Sequence, residues 1–370
     1  MIAINVAGVK YFGEFEFWFA FVKIAAILGL ILFCFVIMLG GGPDKDRRGF
    51  RYWRDEPFNN GYLGITPPAK ARFLGFWAVL TQASFSYGGM EGLASIALEA
   101  ENPRKTMKTA VKAIFYRIVG LYVISIMMIG LCVQRSNENL LQANRGGSGT
   151  AAQSPFVVVI KVAGVKVLDH IINAVVLTSA FSSGNEFLYA SSRALFMLSQ
   201  QGQAPHFFGK ILPNGVPIFA LAFTSLFSLL AFLTVSSSAE VAFNWLGAIT
   251  TLGSQITWTG IAVSWIRFNK GMKRQGVPRS VLPFHSVLQP YAAWAVAICF
   301  PIIMFFAGWT SLKPFSASDF FSTYVNIGFV IVLYAGWKIV KRTKYVSLDE
   351  MDVSTHYTEG SVVTSSYAKN

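Results

Sequence analysis

Phe85-Ser86-Tyr87-Gly88-Gly89-Met90-Glu91-Gly92 lies inside an apolar run from Phe73 to Leu98 and places three glycines and a carboxylate near its middle. The run has the reach of a membrane-crossing helix, which needs about 20 predominantly apolar residues. Each glycine lowers helix stability by about 1 kcal/mol, and irregular backbone at bilayer depth is tolerated only where it lines a cavity or is covered by protein. The stretch therefore reads as a broken transmembrane helix and as the candidate binding site. N–H groups freed at such a break can hold a substrate carboxylate, with help from the half-helix dipole. The alternative, glycines that let two helices pack closely, leaves the glutamate beside them unexplained. Glu91 would cost roughly 3 kcal/mol facing lipid, so it must face inward. It then serves substrate amine recognition or proton handling, or it makes a structural hydrogen bond to a neighbouring helix.

The surrounding sequence agrees with a membrane setting. Of 370 residues, 54% are hydrophobic and 13% charged, and the mean hydropathy is +0.49. A soluble domain carries roughly 25% charged residues. Eight runs meet the length and polarity of a span: Phe17 to Leu39, Phe73 to Leu98, Ala113 to Val133, Leu168 to Ala190, Val216 to Val235, Val241 to Ile266, Pro290 to Leu312 and Phe320 to Val340. The expected fold is an all-α membrane protein of eight transmembrane helices, with a lead over 1–16, a membrane domain over 17–340 and a tail over 341–370. Pro155 to Val167 is apolar but short and carries Lys161 and Lys166, so it is expected at the interface or as an extension of the fourth helix.

The net charge of +13 raises the question of nucleic acid, but on a hydrophobic chain basic residues fix loop orientation. One set of flanks and loops holds seventeen Lys and Arg and the other ten, which predicts both termini in the cytoplasm and removes the need for a nucleic-acid partner. Trp18, Tyr122, Trp309, Tyr324 and Trp337 near span ends suit interfacial anchoring. With a polar, mixed-charge lead before the first run, no signal peptide is expected there. Cys34, Cys132 and Cys299 each sit in an apolar run without metal spacing and read as packing residues. The four histidines are scattered, and no P-loop or dinucleotide fingerprint is present, so neither an enzyme, a metal site nor a cofactor is expected.

Two further polar features stand out. Lys23 is the single charge in the first span, and either snorkels to the interface or serves a site. The fourth span is rich in hydroxyls and amides, including Ser182, Ser183, Asn185 and Glu186, which suits helix–helix hydrogen bonding or a cation or ammonium site. Thr250, Thr251, Ser254 and Gln255 in the sixth span repeat the signal more weakly, and packing is the favoured reading there.

These residues resemble a known family. Phe85 to Glu91, then Glu99-Ala100-Glu101-Asn102-Pro103-Arg104-Lys105-Thr106 and Phe115-Tyr116-Arg117-Ile118, are similar to the sixth helix and following loop of fungal amino-acid permeases, within the amino acid, polyamine and organocation superfamily. Ser182-Ser183-Gly184-Asn185, Leu188 to Leu195 and Gln201 to Pro205 resemble the eighth helix and its exit. Asn5 to Lys10, Gly13 to Trp18, Phe243 to Leu246 and Trp337 to Tyr345 extend the likeness over nearly the whole chain. The resemblance implies a twelve-helix transporter of two inverted five-helix repeats, with substrate held between broken first and sixth helices. Its match begins at the fifth helix, so the chain is expected to be a partial form of this 5+5 fold lacking the first four helices.

Carried over, the resemblance assigns substrate binding to Phe85, Ser86, Tyr87, Gly88, Gly89 and Glu91. It assigns a proton or cation site to Lys23, Ser182 and Ser183, where a lysine ammonium stands in for Na⁺. Departures are Leu98 where glycine is usual, Lys108 where proline is usual, and Glu186 where a small polar residue is usual. The implied function is proton-coupled amino-acid import, with amino acids, protons and the lipid bilayer as partners and the plasma membrane as location. A non-transporting amino-acid sensor of the same fold, or an inactive truncated permease, are the competing readings.

Overall fold

The computed structural model describes residues 1–43, 45–55, 57–93, 102–138, 140, 154–165, 168–235, 239–282, 286–312 and 315–353. Among these the architecture is helical, with a single isolated bridge between Leu312 and Phe315 in place of any strand. The helices are α1 (Ile2–Ala7), α2 (Val9–Met38), α3 (Arg51–Asp55), α4 (Pro68–Ser86), α5 (Pro103–Arg117), α6 (Ile124–Cys132), α7 (Pro155–Val162), α8 (Leu168–Gln200), α9 (Ile218–Leu226), α10 (Ala239–Arg274), α11 (Tyr291–Phe306) and α12 (Ala317–Lys341). The chain groups into two compact units. One comprises Met1–Gly75, Gly92–Pro103 and Thr109–Asn244; the other comprises Phe76–Glu91, Arg104–Lys108 and the chain from Trp245 onward.

Four helical stretches are long and apolar enough to cross a membrane: Val9–Met38, Lys105–Cys132, Tyr291–Ser311 and Ala317–Lys341. The eight-span expectation is met at four of its positions by length and apolarity alone. Run two is helical as α4 only to Ser86, and its residues 94–98 lie outside the described residues; runs four and six are helical as α8 and α10, and polar residues lower the hydropathy of all three. Run five changes from α-helix at Leu226 to 3₁₀ geometry over Phe227–Val235.

In the first unit α8 is the hub, packing against α1, α2, α7 and α9. Gly8, with φ of 103°, makes the turn from α1 into α2, which begins well before the predicted start at Phe17. Cys34, Ile37 and Met38 of α2 pack with Met128, Leu131 and Cys132 of α6 and with Val158 and Val159 of α7. Leu30, Val157, Ile160 and Ile172 extend this core to α8. Between apolar helices in lipid, close packing and hydrogen bonds supply the cohesion. Here the Cys132 thiol donates to the Cys34 carbonyl at 3.1 Å, and Arg48 Nη1 donates to the Cys132 carbonyl at 2.9 Å.

Two expectations change at this point. The Pro155 segment does not lengthen α8 but forms a short helix of its own, α7. Pro155 starts it, Gly164 with φ of 71° turns the chain away, and Val157 to Ile160 are buried in the core. Cys34 and Cys132 pack as expected, but Cys299 is exposed on α11. The loop after α2 is set by Asp46, which accepts from Arg51 Nη2 at 2.6 Å, and this bond holds the Asp46 carboxyl below the usual carboxylate range.

In the second unit Ala262 and Ile266 of α10 meet Ala293 of α11. The Tyr324 hydroxyl of α12 donates to the Phe305 carbonyl at 2.7 Å and accepts from the Gly308 N–H at 3.1 Å, so this residue ties α11 to α12. Asn326 of α12 donates to the Ile249 carbonyl of α10. After α12 the chain returns onto the C-terminal end of α10. Arg267 donates to the Val346 carbonyl at 2.7 Å, Gln275 donates to the Leu348 and Met351 carbonyls, and Arg274 pairs with Asp349 at 3.0 Å.

Candidate functional site

The helix interruption falls where the glycines predict it. α4 ends at Ser86, a turn runs through Tyr87 to Gly89, and a 3₁₀ turn covers Met90–Gly92. Gly89 has φ of 95°, a left-handed conformation that glycine adopts without steric cost. A Cβ on Gly88 would lie 3.3 Å from the Phe85 carbonyl oxygen, so the second glycine admits the tight approach.

The break delivers Glu91 to α10. Glu91 Oε1 accepts from Ser254 Oγ at 2.8 Å and Oε2 accepts from Trp258 Nε1 at 3.0 Å. Each carboxylate oxygen thus has one neutral donor from α10. Ser254 therefore does more than pack within its own helix. Thr250 and Thr251 do bond back to the Leu246 and Gly247 carbonyls, and Gln255 is fully buried.

Beside Glu91 lies a cavity of about 670 Å³ between α4, α10 and α11, lined by Leu80, Tyr87, Trp258, Trp265 and Phe300 among others. Its volume is within the range of roughly 300–1,000 Å³ usual for small-molecule sites. Of the predicted substrate residues, Tyr87 and Glu91 line this cavity. Gly88 and Gly89 shape the turn, and Phe85 and Ser86 are exposed outside it.

The second predicted constellation forms in the other unit. Lys23, the fifteenth residue of the thirty in α2, donates through Nζ to Ser182 Oγ of α8 at 2.6 Å. Ser182 Oγ in turn donates to Glu16 Oε2 at 2.6 Å. Ser183 is half-buried, and among the described residues no bond joins it to Lys23. Glu186 is within electrostatic reach of Glu16, Lys23 and Arg117. Next to this chain, Asn5 Nδ2 of α1 donates to Asn185 Oδ1 of α8 at 2.8 Å, with both side chains fully buried. Phe12 stacks on Tyr189 with ring centroids 4.0 Å apart, and the Arg193 guanidinium lies 3.6 Å from the same ring.

Sequence reasoning missed Glu16, Ser254, Trp258 and Asn5. Glu16 had a signal available, because it lies seven residues before Lys23, two turns along one helix face. The others depend on which helices meet.

Comparison with known proteins completes the description. Residues 1–349 match the family model described as amino acid permease. The chain belongs to the amino acid permease family. It is 40% identical over 359 residues to the proline-specific permease of Emericella nidulans, covering 96% of this chain and 65% of that protein. It is 39% identical to the dicarboxylic amino acid permease of Saccharomyces cerevisiae, covering 96% and 59%, and 37% identical to the general amino-acid permease GAP1 of the same yeast, covering 96% and 59%. The chain thus spans about three-fifths of the length of these relatives. All three are named as permeases and none as an enzyme. No solved structure matches the chain. Family membership and the apolar helices make this a multi-pass membrane protein.

Proposed function

We propose that this amino acid permease moves amino acids across the plasma membrane by alternating access around the break at 85–92, with protons as the coupling ion. The observation that carries the reading is the interrupted helix, which places Glu91 beside an apolar cavity. A permease must recognise the part common to all amino acids with fixed polar groups and accommodate side chains in a less specific space. Glu91 supplies a fixed negative charge for the substrate ammonium, and the cavity wall of Leu80, Trp258, Trp265 and Phe300 offers room for apolar side chains. N–H groups freed at the break would hold the substrate carboxylate.

Lys23, with Ser182 and Ser183, forms the proposed coupling site, because an ammonium inside a span can change charge with its surroundings. The proposed topology is eight spans within a 5+5 repeat, both termini cytoplasmic. In support, the segment after α12 lies on Arg267, Arg274 and Gln275, and both groups belong to the basic set predicted to be cytoplasmic.

The test is uptake of labelled proline, glutamate and lysine by yeast lacking its own amino-acid permeases and expressing the full-length gene. At least one should be taken up, faster at acid than at neutral pH. Glu91→Gln should raise KM for that substrate, and Lys23→Ala should lower the maximal rate. Wild-type rates in both variants would remove the site assignment.

A further inference from the structure

Glu16 has no role in the reading above, yet it completes the Lys23 chain. The two residues share one face of α2, and Ser182 of α8 touches both. It accepts from Lys23 Nζ and donates to Glu16 Oε2, each at 2.6 Å. Ser182 is fully buried, whereas Lys23 and Glu16 are half-buried. Bonds of this length between an ammonium, a hydroxyl and a carboxylate are at the strong, charge-assisted end of the range. The second carboxylate oxygen of Glu16, Oε1, is buried and has no hydrogen-bond partner among the described residues. Glu186 on α8 is in electrostatic reach of both Glu16 and Lys23, and Arg117 at the end of α5 is in reach of Glu186.

We propose that Glu16 is the proton acceptor of the Lys23 site, with Ser182 as the relay between them. The assignment rests on the proton-coupled reading of the permease. In the step, one N–H bond of the Lys23 ammonium breaks as its proton bonds to Ser182 Oγ. The Ser182 hydroxyl proton passes at the same time to Glu16 Oε2. Lysine becomes a neutral amine, glutamate a neutral acid, and serine is regenerated, so no other reactant is needed. The ionic form gains the attraction of opposite charges, and the neutral form avoids removing two charges from water. A helix movement that changes the surroundings of Oε1 then selects between the two forms, which is what a coupling site requires.

The experiment is the pH dependence of initial uptake rates for the full-length permease in the same yeast, using labelled proline, glutamate and lysine. Glu16→Gln keeps the shape of the side chain but removes its acid–base function. It should lower the maximal rate by about tenfold or more, change KM by less than about twofold, and flatten the response to pH. Ser182→Ala should do the same, and Ser182→Thr, which restores a hydroxyl, should recover the wild-type profile. A structural role for the pair would shift protein level or KM but leave the pH profile in place. The assignment alone is overturned if wild type and Glu16→Gln share one pH profile, or if Ser182→Ala behaves like Ser182→Thr. Wild-type uptake that is indifferent to pH overturns the coupled reading and this assignment with it. The two serine variants decide the matter even if Glu16→Gln is not inserted, because they leave both charges in place.

Discussion

Glu91 and Glu16 are both glutamates within apolar surroundings, and both meet a serine from another helix, but their hydrogen bonds are completed in opposite ways. Glu91 accepts at one oxygen from Ser254 and at the other from Trp258, both neutral donors. Glu16 accepts at one oxygen from Ser182, its other oxygen has no partner among the described residues, and a lysine stands on the far side of the serine. On the proposed reading, the carboxylate held by neutral donors is the one that recognises substrate, and the one joined to an ammonium through a single hydroxyl is the one that serves coupling.

The largest effect expected from breaking this contrast is at Lys23. Lys23→Met leaves Glu16 without its counter-charge, at a cost of about 2–3 kcal/mol. The double variant Lys23→Met with Glu16→Gln should recover at least about 1 kcal/mol relative to the sum of the two singles. Thermal unfolding midpoints of the full-length protein in detergent read this directly. Strict additivity would mean that the two charges do not depend on each other.

A smaller effect is expected at Glu91. Trp258→Phe removes one neutral donor while keeping most of the ring against the cavity, and should cost about 1–2 kcal/mol, with Ser254→Ala at the lower end. Because no opposite charge is involved, neither loss should vary with salt or be relieved by a second charge deletion. Rescue of Trp258→Phe by neutralising a nearby basic residue would show that Glu91 is paired after all.

How far the sequence could be read follows from the same contrast. The broken helix was legible because its cause is local: Gly88 and Gly89 weaken the helix wherever they stand, and the turn forms over those residues. Lys23 and Ser182 were legible as a pair only through resemblance, since 159 positions separate them. Asn5 and Asn185, 180 positions apart, were each visible as polar residues in separate motifs, but nothing in either motif says that they meet. Trp258 was passed over because one tryptophan in an apolar run looks like any packing residue. Its indole N–H acquires a role only when α10 lies beside the break. The Pro155 segment failed for another reason. Its short length and two lysines argue against a span and for the interface or an extension of α8, whereas the fold makes it a separate helix that packs Val157 to Ile160 among α2, α6 and α8 and ends at Lys161 and Val162.

The smallest effect is expected at the surface of α10, where Arg274 pairs with Asp349 in the segment after α12. Both side chains are about two-thirds exposed, and an exposed pair of this kind contributes less than about 1 kcal/mol and is screened by salt. What holds the segment is different in kind. Gln275 donates to carbonyls at Leu348 and Met351, Arg267 donates to the carbonyl of Val346, and Val353 is buried at 3% exposure. Arg274→Ala should therefore leave the segment in place, whereas Gln275→Ala should loosen it more, because one amide bonds the carbonyls of Leu348 and Met351 at once. Protease sensitivity after Tyr345, compared at low and high salt, separates the two. Cleavage that rises in Arg274→Ala as much as in Gln275→Ala would mean that a surface ion pair holds the segment. The contrast drawn at Glu91 and Glu16, in which partners and burial count for more than charge alone, would then not extend to this end of α10.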